Sequence, residues 1–160
     1  MAKAANNKVI MISIHPEYAN AIFRGEKKIE FRKLNIPQNI DYVVLYVTTP
    51  EQKITGYFSI KEIIQDKPSE LWRRFSHISG TTKDFFNKYY KDQEIGLGLL
   101  VDEVNIFKNP CTLEQIGSGT RPPQSFLYID SKFWRNLKRR KCNNILESKI
   151  VNYRDRDAHY

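Results

Sequence analysis

The sequence is poor in cysteine and histidine and has no long hydrophobic run. Its two cysteines, Cys111 and Cys142, lie far apart with no C-x-x-C spacing. That excludes a disulfide framework, a zinc knuckle and a thioredoxin-type motif, and it points to a reducing cytoplasm. No segment approaches the roughly 18 uninterrupted apolar residues of a membrane span, so no membrane partner is expected. Met1 to Lys8 is polar and basic with no apolar run or cleavage site behind it, which argues against secretion. The three histidines, His15, His77 and His159, stand apart without clustered acids, so no metal site is expected. The loop Gly117-Ser118-Gly119-Thr120-Arg121-Pro122-Pro123 matches neither phosphate-cradling pattern, and no cofactor is expected. There is no internal repeat and no low-complexity tract.

What the chain does have is apolar material and concentrated positive charge. Of 160 residues, 41% are apolar and 12% aromatic, enough for the core of one ordinary domain. Lysine and arginine number 26 against 18 acids, a net charge of +8. Two segments together outweigh that excess. Residues 24–33 carry Arg24, Lys27, Lys28, Arg32 and Lys33 against Glu26 and Glu30. Residues 131–141 carry Lys132, Arg135, Lys138, Arg139, Arg140 and Lys141 with no acid. Such concentration on an otherwise balanced chain fits a polyanion surface, nucleic acid first among them; solubility alone is the other reading.

The hydrophobic period switches repeatedly between strand and helix. Val9 to Ile14 is a β-branched apolar run and reads as a strand. Pro16 opens a short helix over 16–24, with Tyr18, Ala21 and Ile22 at helical spacing and Gly25 suited to a left-handed cap. Lys28 to Lys33 alternates, Tyr42 to Val47 is a buried run, and Ile54 to Ile60 alternates with Thr55, Tyr57 and Ser59 outward. Helices are expected after Pro68 and Thr82, with Trp72, Phe75, Phe85, Phe86, Tyr89 and Tyr90 as core. Strands over Ile95–Val101, Val104–Phe107 and Ser125–Ile129 precede a last helix from Ser131 to Lys141. Without βαβ alternation this order predicts an α+β fold, a twisted mixed sheet or small barrel with short helices around it. The expected divisions are a loose N-terminus (1–8), a barrel domain (9–130), a basic helix packed on it (131–148) and a tail (149–160).

Chemistry concentrates around Gly25 to Lys33. In a strand Ile29 and Phe31 share one face, leaving Lys28, Glu30 and Arg32 on the other. Cations flanking a carboxylate can bind a phosphate or carbonyl, while Glu30 can accept from an exocyclic amine. A solvated, self-paired edge strand is the alternative. Along the last helix Phe133, Trp134 and Leu137 form a packing stripe, leaving Lys132, Arg135, Lys138, Arg139 and Arg140 for phosphates or for solvent. Arg121, Gln124 and Ser125 can rim a cleft. Tyr46 and Tyr57, from neighbouring strands, are candidate stacking rings. His15, at the start of the first helix, suits a cap or a ligand contact.

Gly25-x-Lys27-x-x-Glu30-x-Arg32, after Ile12-Ser13-Ile14-His15-Pro16-Glu17-Tyr18-Ala19, resembles the signature of the ASCH (activating-signal-cointegrator homology) family, a branch of the PUA-like barrels. Leu45-Tyr46-Val47-Thr48-Thr49-Pro50, Gly56-Tyr57-Phe58 and Pro122-Pro123-Gln124-Ser125-Phe126 are similar to its larger members. The resemblance implies a small mixed β-barrel with a cleft beside the signature strand for RNA or a nucleobase, lined by Lys27, Glu30 and Arg32. One similar branch is an amidohydrolase acting on acetylcytidine with the pattern G-x-K-T-x-T-x-R. Lys27 matches its lysine, but Lys28 and Glu30 stand where it has threonines, and a carboxylate does not replace a hydroxyl nucleophile.

The expected function is nucleic-acid binding. RNA with splayed bases is favoured over duplex DNA, with a base or nucleoside in the cleft and phosphates on the basic helix. The alternative is an enzyme on RNA or a modified nucleoside, amidohydrolase-like or a ribonuclease, with Lys27 activating and Glu30 as general acid or base. A third reading is an acidic protein partner docked on the basic helix.

Overall fold

The computed structural model describes residues 7–140. The elements in chain order are β1 (Val9–Ile14), α1 (Pro16–Arg24), β2 (Ile29–Lys33), β3 (Tyr42–Val47), β4 (Lys53–Asp66), α2 (Pro68–Phe75), α3 (Lys83–Tyr89), β5 (Gly96–Cys111), β6 (Leu127–Tyr128) and α4 (Ser131–Lys138). The strands form one six-stranded sheet in the order β2-β5-β4-β3-β1-β6. β1 and β3 run parallel, and the other pairs are antiparallel. This mixed sheet curls into a half-barrel with helices around it, the α+β architecture that the alternating strands lead one to expect. Register shifts between Ile54 and Gly56, Phe58 and Ile60, and Ile60 and Glu62 bend β4 along β5. At Gly56 the backbones approach so closely that a Cβ would collide with the Asn105 carbonyl oxygen.

Alternation along the strands divides the core. Ile10, Ile12, Ile14, Val43, Leu45, Val47 and Phe58 face one side with Ala19, Ile22 and Phe23 of α1. Val9, Met11, Val44, Tyr46, Ile54 and Tyr57 face the other, closed by Trp134 and Leu137 of α4. A third cluster joins Ile29 and Phe31 of β2 to Leu71 of α2 and Phe86 of α3. Trp134 sits between the Tyr42 and Tyr57 rings, with centroids 4.7 and 4.8 Å away. The Asp130 side chain caps α4 by accepting from the Phe133 N–H at 2.7 Å.

Several expectations are redrawn. The two expected strands over Ile95–Val101 and Val104–Phe107 merge into one continuous 16-residue strand that starts at Gly96, because bulges absorb the break in pattern. The last strand shrinks to Leu127–Tyr128. Thr55 and Tyr57 do not face solvent, since β4 is covered on both sides in its first half. The expected helix 131–148 is described from Ser131 to Lys138. Residues 1–6 and 141–160, which include Lys141, Cys142, the rest of that expected helix and the tail, lie outside the described residues. Among the described residues no helix is long and apolar enough to cross a membrane.

Candidate functional site

The end of α1 is built to deliver a lysine inward. Gly25 adopts φ 77° and its N–H closes on the Ala21 and Ile22 carbonyls, the left-handed stop expected of a glycine there. The N–H groups of Glu26 and Lys27 then both return to Ala21 O, which turns the chain sharply. Lys27 therefore enters the protein just before β2 starts, and only 3% of it is exposed. The loop after α2 closes over it. Lys27 Nζ donates to the Ser79 carbonyl at 2.6 Å, and Gly80, at φ 62°, packs where a Cβ would stand 2.8 Å from Lys27 Cβ.

Lys27 meets Glu30 and Arg32 in one buried charge cluster. Its Nζ lies 3.3 Å from Glu30 Oε1, while Arg32 Nη2 lies 2.8 Å from Glu30 Oε2. Arg32 Nε donates to the same Oε2 at 3.0 Å, and Nη2 also donates to the Ser13 carbonyl at 2.9 Å. The guanidinium thus ties β2 to the end of β1. Burial pulls the Lys27 amine below its ordinary range; Glu30 offsets this in part, and the nearby Arg32 adds slightly to the lowering. For Glu30 burial acts to raise the carboxyl, but Arg32 and Lys27 together outweigh it and hold Glu30 low. The two partners differ because Glu30 faces two cations, whereas Lys27 faces one acid and one cation.

Above this charged floor lies a cavity of about 170 Å³. Its walls are aromatic: Tyr18 from α1, Phe31 from β2, and Phe85, Phe86 and Tyr89 from α3, with Ser13, His15 and Thr81 completing the lining. Tyr18 and Phe85 pack at 5.3 Å between centroids, and the Tyr18 and Thr81 hydroxyls lie 3.2 Å apart. Lys27 Nζ stands 5.3 Å from the Tyr18 ring centroid. Phe85 is 41% exposed, which leaves an aromatic surface at the mouth. Volumes of roughly 300–1,000 Å³ suit drug-sized ligands, so this space fits one ring system rather than an extended molecule.

The structure brings together Lys27, Glu30 and Arg32, and it separates the other candidates from them. Lys28 is exposed and does not line the cavity, because Lys27, outside the strand's alternation, takes the inward place. Tyr46 and Tyr57 are 4% and 9% exposed within the cluster under α4, so neither ring belongs to the cavity wall. The rings expected to be plain core, Phe85, Phe86 and Tyr89, are the ones that form it. Arg121 and Gln124 are exposed, and Ser125 Oγ is buried without a hydrogen-bond partner; none lines the cavity. Their loop touches β1 through the Ser13 hydroxyl, which donates to the Pro123 carbonyl at 2.7 Å. His15 sits at the helix start, but its side chain makes no cap bond and lies against the rings of Tyr18 and Phe85.

On α4, Lys132, Arg135, Lys138 and Arg139 are exposed. Arg140 instead donates to the Asn109 carbonyl at 2.9 Å and reaches Cys111 Sγ at 3.4 Å, pinning the helix end to β5. Among the described residues no cluster of histidine, cysteine and acids could hold a metal.

Residues 12–106, which run from the second half of β1 through the charged cluster and most of β5, match the ASCH domain model. This chain belongs to the ASCH domain family. An ASCH domain-containing ribonuclease of Zymomonas mobilis subsp. mobilis is 26% identical over 132 residues, covering 81% of this chain and 89% of that protein. The crystal structure of ASCH from Zymomonas mobilis superposes with a TM-score of 0.76 at 26% identity, over 82% of this chain and 94% of that one. This chain is also similar to part of a longer protein. The large ribosomal subunit protein uL22 of Ureaplasma parvum is 28% identical over 123 residues, which cover 76% of this chain but 39% of that protein.

Proposed function

We propose that this ASCH domain binds RNA, holding one base in the aromatic cavity while exposed cations of α4 contact backbone phosphates. The observation that carries the reading is the cavity itself. A buried Lys27–Glu30–Arg32 floor supplies fixed polar groups, and ring surfaces from Tyr18 and Phe85 supply stacking, in a space sized for one ring system. The Zymomonas relative named as a ribonuclease supports RNA as the polyanion. Duplex bases are not splayed, so single-stranded or looped RNA is the better ligand.

Titration of labelled single-stranded RNA against the protein at several salt concentrations tests this. Affinity is expected to fall as salt rises, by a slope of about −0.7 for each phosphate contacted. Salt-insensitive binding, or none, refutes the reading.

A second reading, RNA cleavage, is favoured by one specific feature: an amine held below its usual range beside an ionised carboxylate. In it Lys27, once neutral, takes the proton from the ribose 2′-hydroxyl as that oxygen bonds to phosphorus, and returns it to the 5′-oxygen as the P–O5′ bond breaks, while Arg32 faces the phosphate charge. Glu30, already occupied by two cations, would hold Lys27 in place rather than act as the acid or base. Cleavage of single-stranded RNA that disappears in Lys27→Met, with RNA binding retained, supports it. Unchanged cleavage in that variant removes it.

A further inference from the structure

The hydrogen-bonding inventory inside the cavity is unbalanced, and the imbalance points to a ligand. Glu30 is mostly occupied: Oε2 accepts twice from Arg32 and Oε1 faces Lys27 Nζ, leaving one lone pair on Oε1. Arg32 uses Nε and Nη2 on Glu30 and Ser13, so both N–H groups of Nη1 are uncommitted among the described residues. Lys27 Nζ has a third N–H beyond those toward Ser79 and Glu30. The Tyr89 hydroxyl accepts from the Lys33 N–H, and its own proton has no acceptor among the described residues. Among these floor groups and Tyr89 donors outnumber acceptors, the Tyr18 and Thr81 hydroxyls share one bond and can serve as either, and the floor carries two cations against one anion.

Resting on the base-binding reading above, we infer that the cavity selects bases by a keto group, taking guanine or uracil over adenine or cytosine. A keto oxygen, O6 of guanine or O4 of uracil, accepts two of the waiting donors. The ring N–H beside it meets the remaining lone pair of Glu30 Oε1. An exocyclic amine does the reverse. In the same pose adenine or cytosine sets two N–H groups against the waiting donors, and its bare ring nitrogen turns a lone pair toward the lone pair of Glu30 Oε1. Buried donors left unpaired are what make such sites reject an analogue. Stacking on Phe85 and Tyr18 serves every base alike, so the charged floor is where discrimination arises. Glu30, which in isolation suits an exocyclic amine, acts instead as the anchor that aims Arg32.

Fluorescence anisotropy with labelled oligouridylate, oligocytidylate and oligoadenylate, followed by competition with guanosine, inosine and adenosine, tests this. Inosine keeps O6 but lacks the 2-amino group, so it isolates the keto contact. Oligouridylate is expected to bind about ten-fold tighter than oligocytidylate, and inosine to match guanosine while outcompeting adenosine about ten-fold. Equal affinity throughout, or preference for adenine or cytosine, overturns keto selection and leaves base binding standing. Failure to bind any RNA overturns both. Arg32→Lys keeps the charge and removes the Nη1 donors; in folded protein it is expected to shrink the uracil-to-cytosine ratio. An unchanged ratio in a variant with native circular dichroism overturns the inference. Because the nucleoside series alters the ligand alone, it decides the question even where that variant fails to fold.

Discussion

In the cavity, Lys27 and Arg32 flank a single carboxylate at 3.3 and 2.8 Å, and Lys27 and Glu30 are nearly sealed from solvent. On α4, Lys132, Arg135, Lys138 and Arg139 stand in solvent with no ion-pair partner among the described residues. The two regions also pack on different cores. α4 closes the Val9–Met11–Tyr57 cluster, while the cavity is walled by Phe31 and Phe86 of the α2–α3 cluster. Buried charges have fixed positions and can read the shape and polarity of a ligand. Exposed ones move, are screened by salt, and contribute affinity without discrimination. The family signature marks the first kind, and the sequence's densest basic run marks the second.

The largest way to break this contrast is to remove the shared carboxylate. Glu30→Gln leaves two buried cations uncompensated and is expected to cost about 3–5 kcal/mol of stability in urea unfolding. A cost below 1 kcal/mol would mean that water reaches the cluster freely. The same group gives the protein an acid-sensitive limb. Glu30 titrates lower in the folded state than its ordinary value, so its stabilisation is fully present above about pH 4.3 and fades as pH falls through the folded value. Acid titration of stability is expected to flatten in Glu30→Gln relative to the parent chain.

A smaller effect is expected from closing the roof of the site. Gly80→Ala places a Cβ against Lys27 at a residue with φ 62°, for a loss of about 1–2 kcal/mol by thermal melting. Smallest in stability is the α4 surface. Lys132→Ala, Arg135→Ala and Lys138→Ala together are expected to change unfolding free energy by about 0.5 kcal/mol or less, while the salt slope of RNA binding becomes shallower. If nucleosides also lose affinity in that triple variant, the division of labour between the two regions is wrong.

Much of the frame is legible in the residues. Pro16 and Gly25 bound α1 where the structure has it, and the β-branched runs Val9–Ile14 and Tyr42–Val47 are strands over the same residues. Lys27, Glu30 and Arg32 are found from the signature. What is hidden is which aromatic rings meet them. Period-two reasoning assigns Tyr57 to solvent because it sees one strand, not the distant helix α4 whose Trp134 covers it. The stripe of Phe133, Trp134 and Leu137 was the available signal, since an apolar helix face requires an apolar sheet face to cover. Phe85 and Tyr89, one turn apart on α3, look like any packing pair. Nothing local tells that they border a cavity rather than fill one.

The contact between Lys27 and Ser79 spans 52 residues, and that between Tyr90 and Arg32 spans 58. β2, meanwhile, finds its partner only in β5, with Ile29 opposite Leu100. Long loops must therefore close before any part of the pocket exists, which places its assembly late among folding events. A nascent chain that has emerged only through β4 carries the signature residues but no site. Capture of the proposed base in this cavity is thus also a report that the whole chain from β1 to β5 has reached its native arrangement.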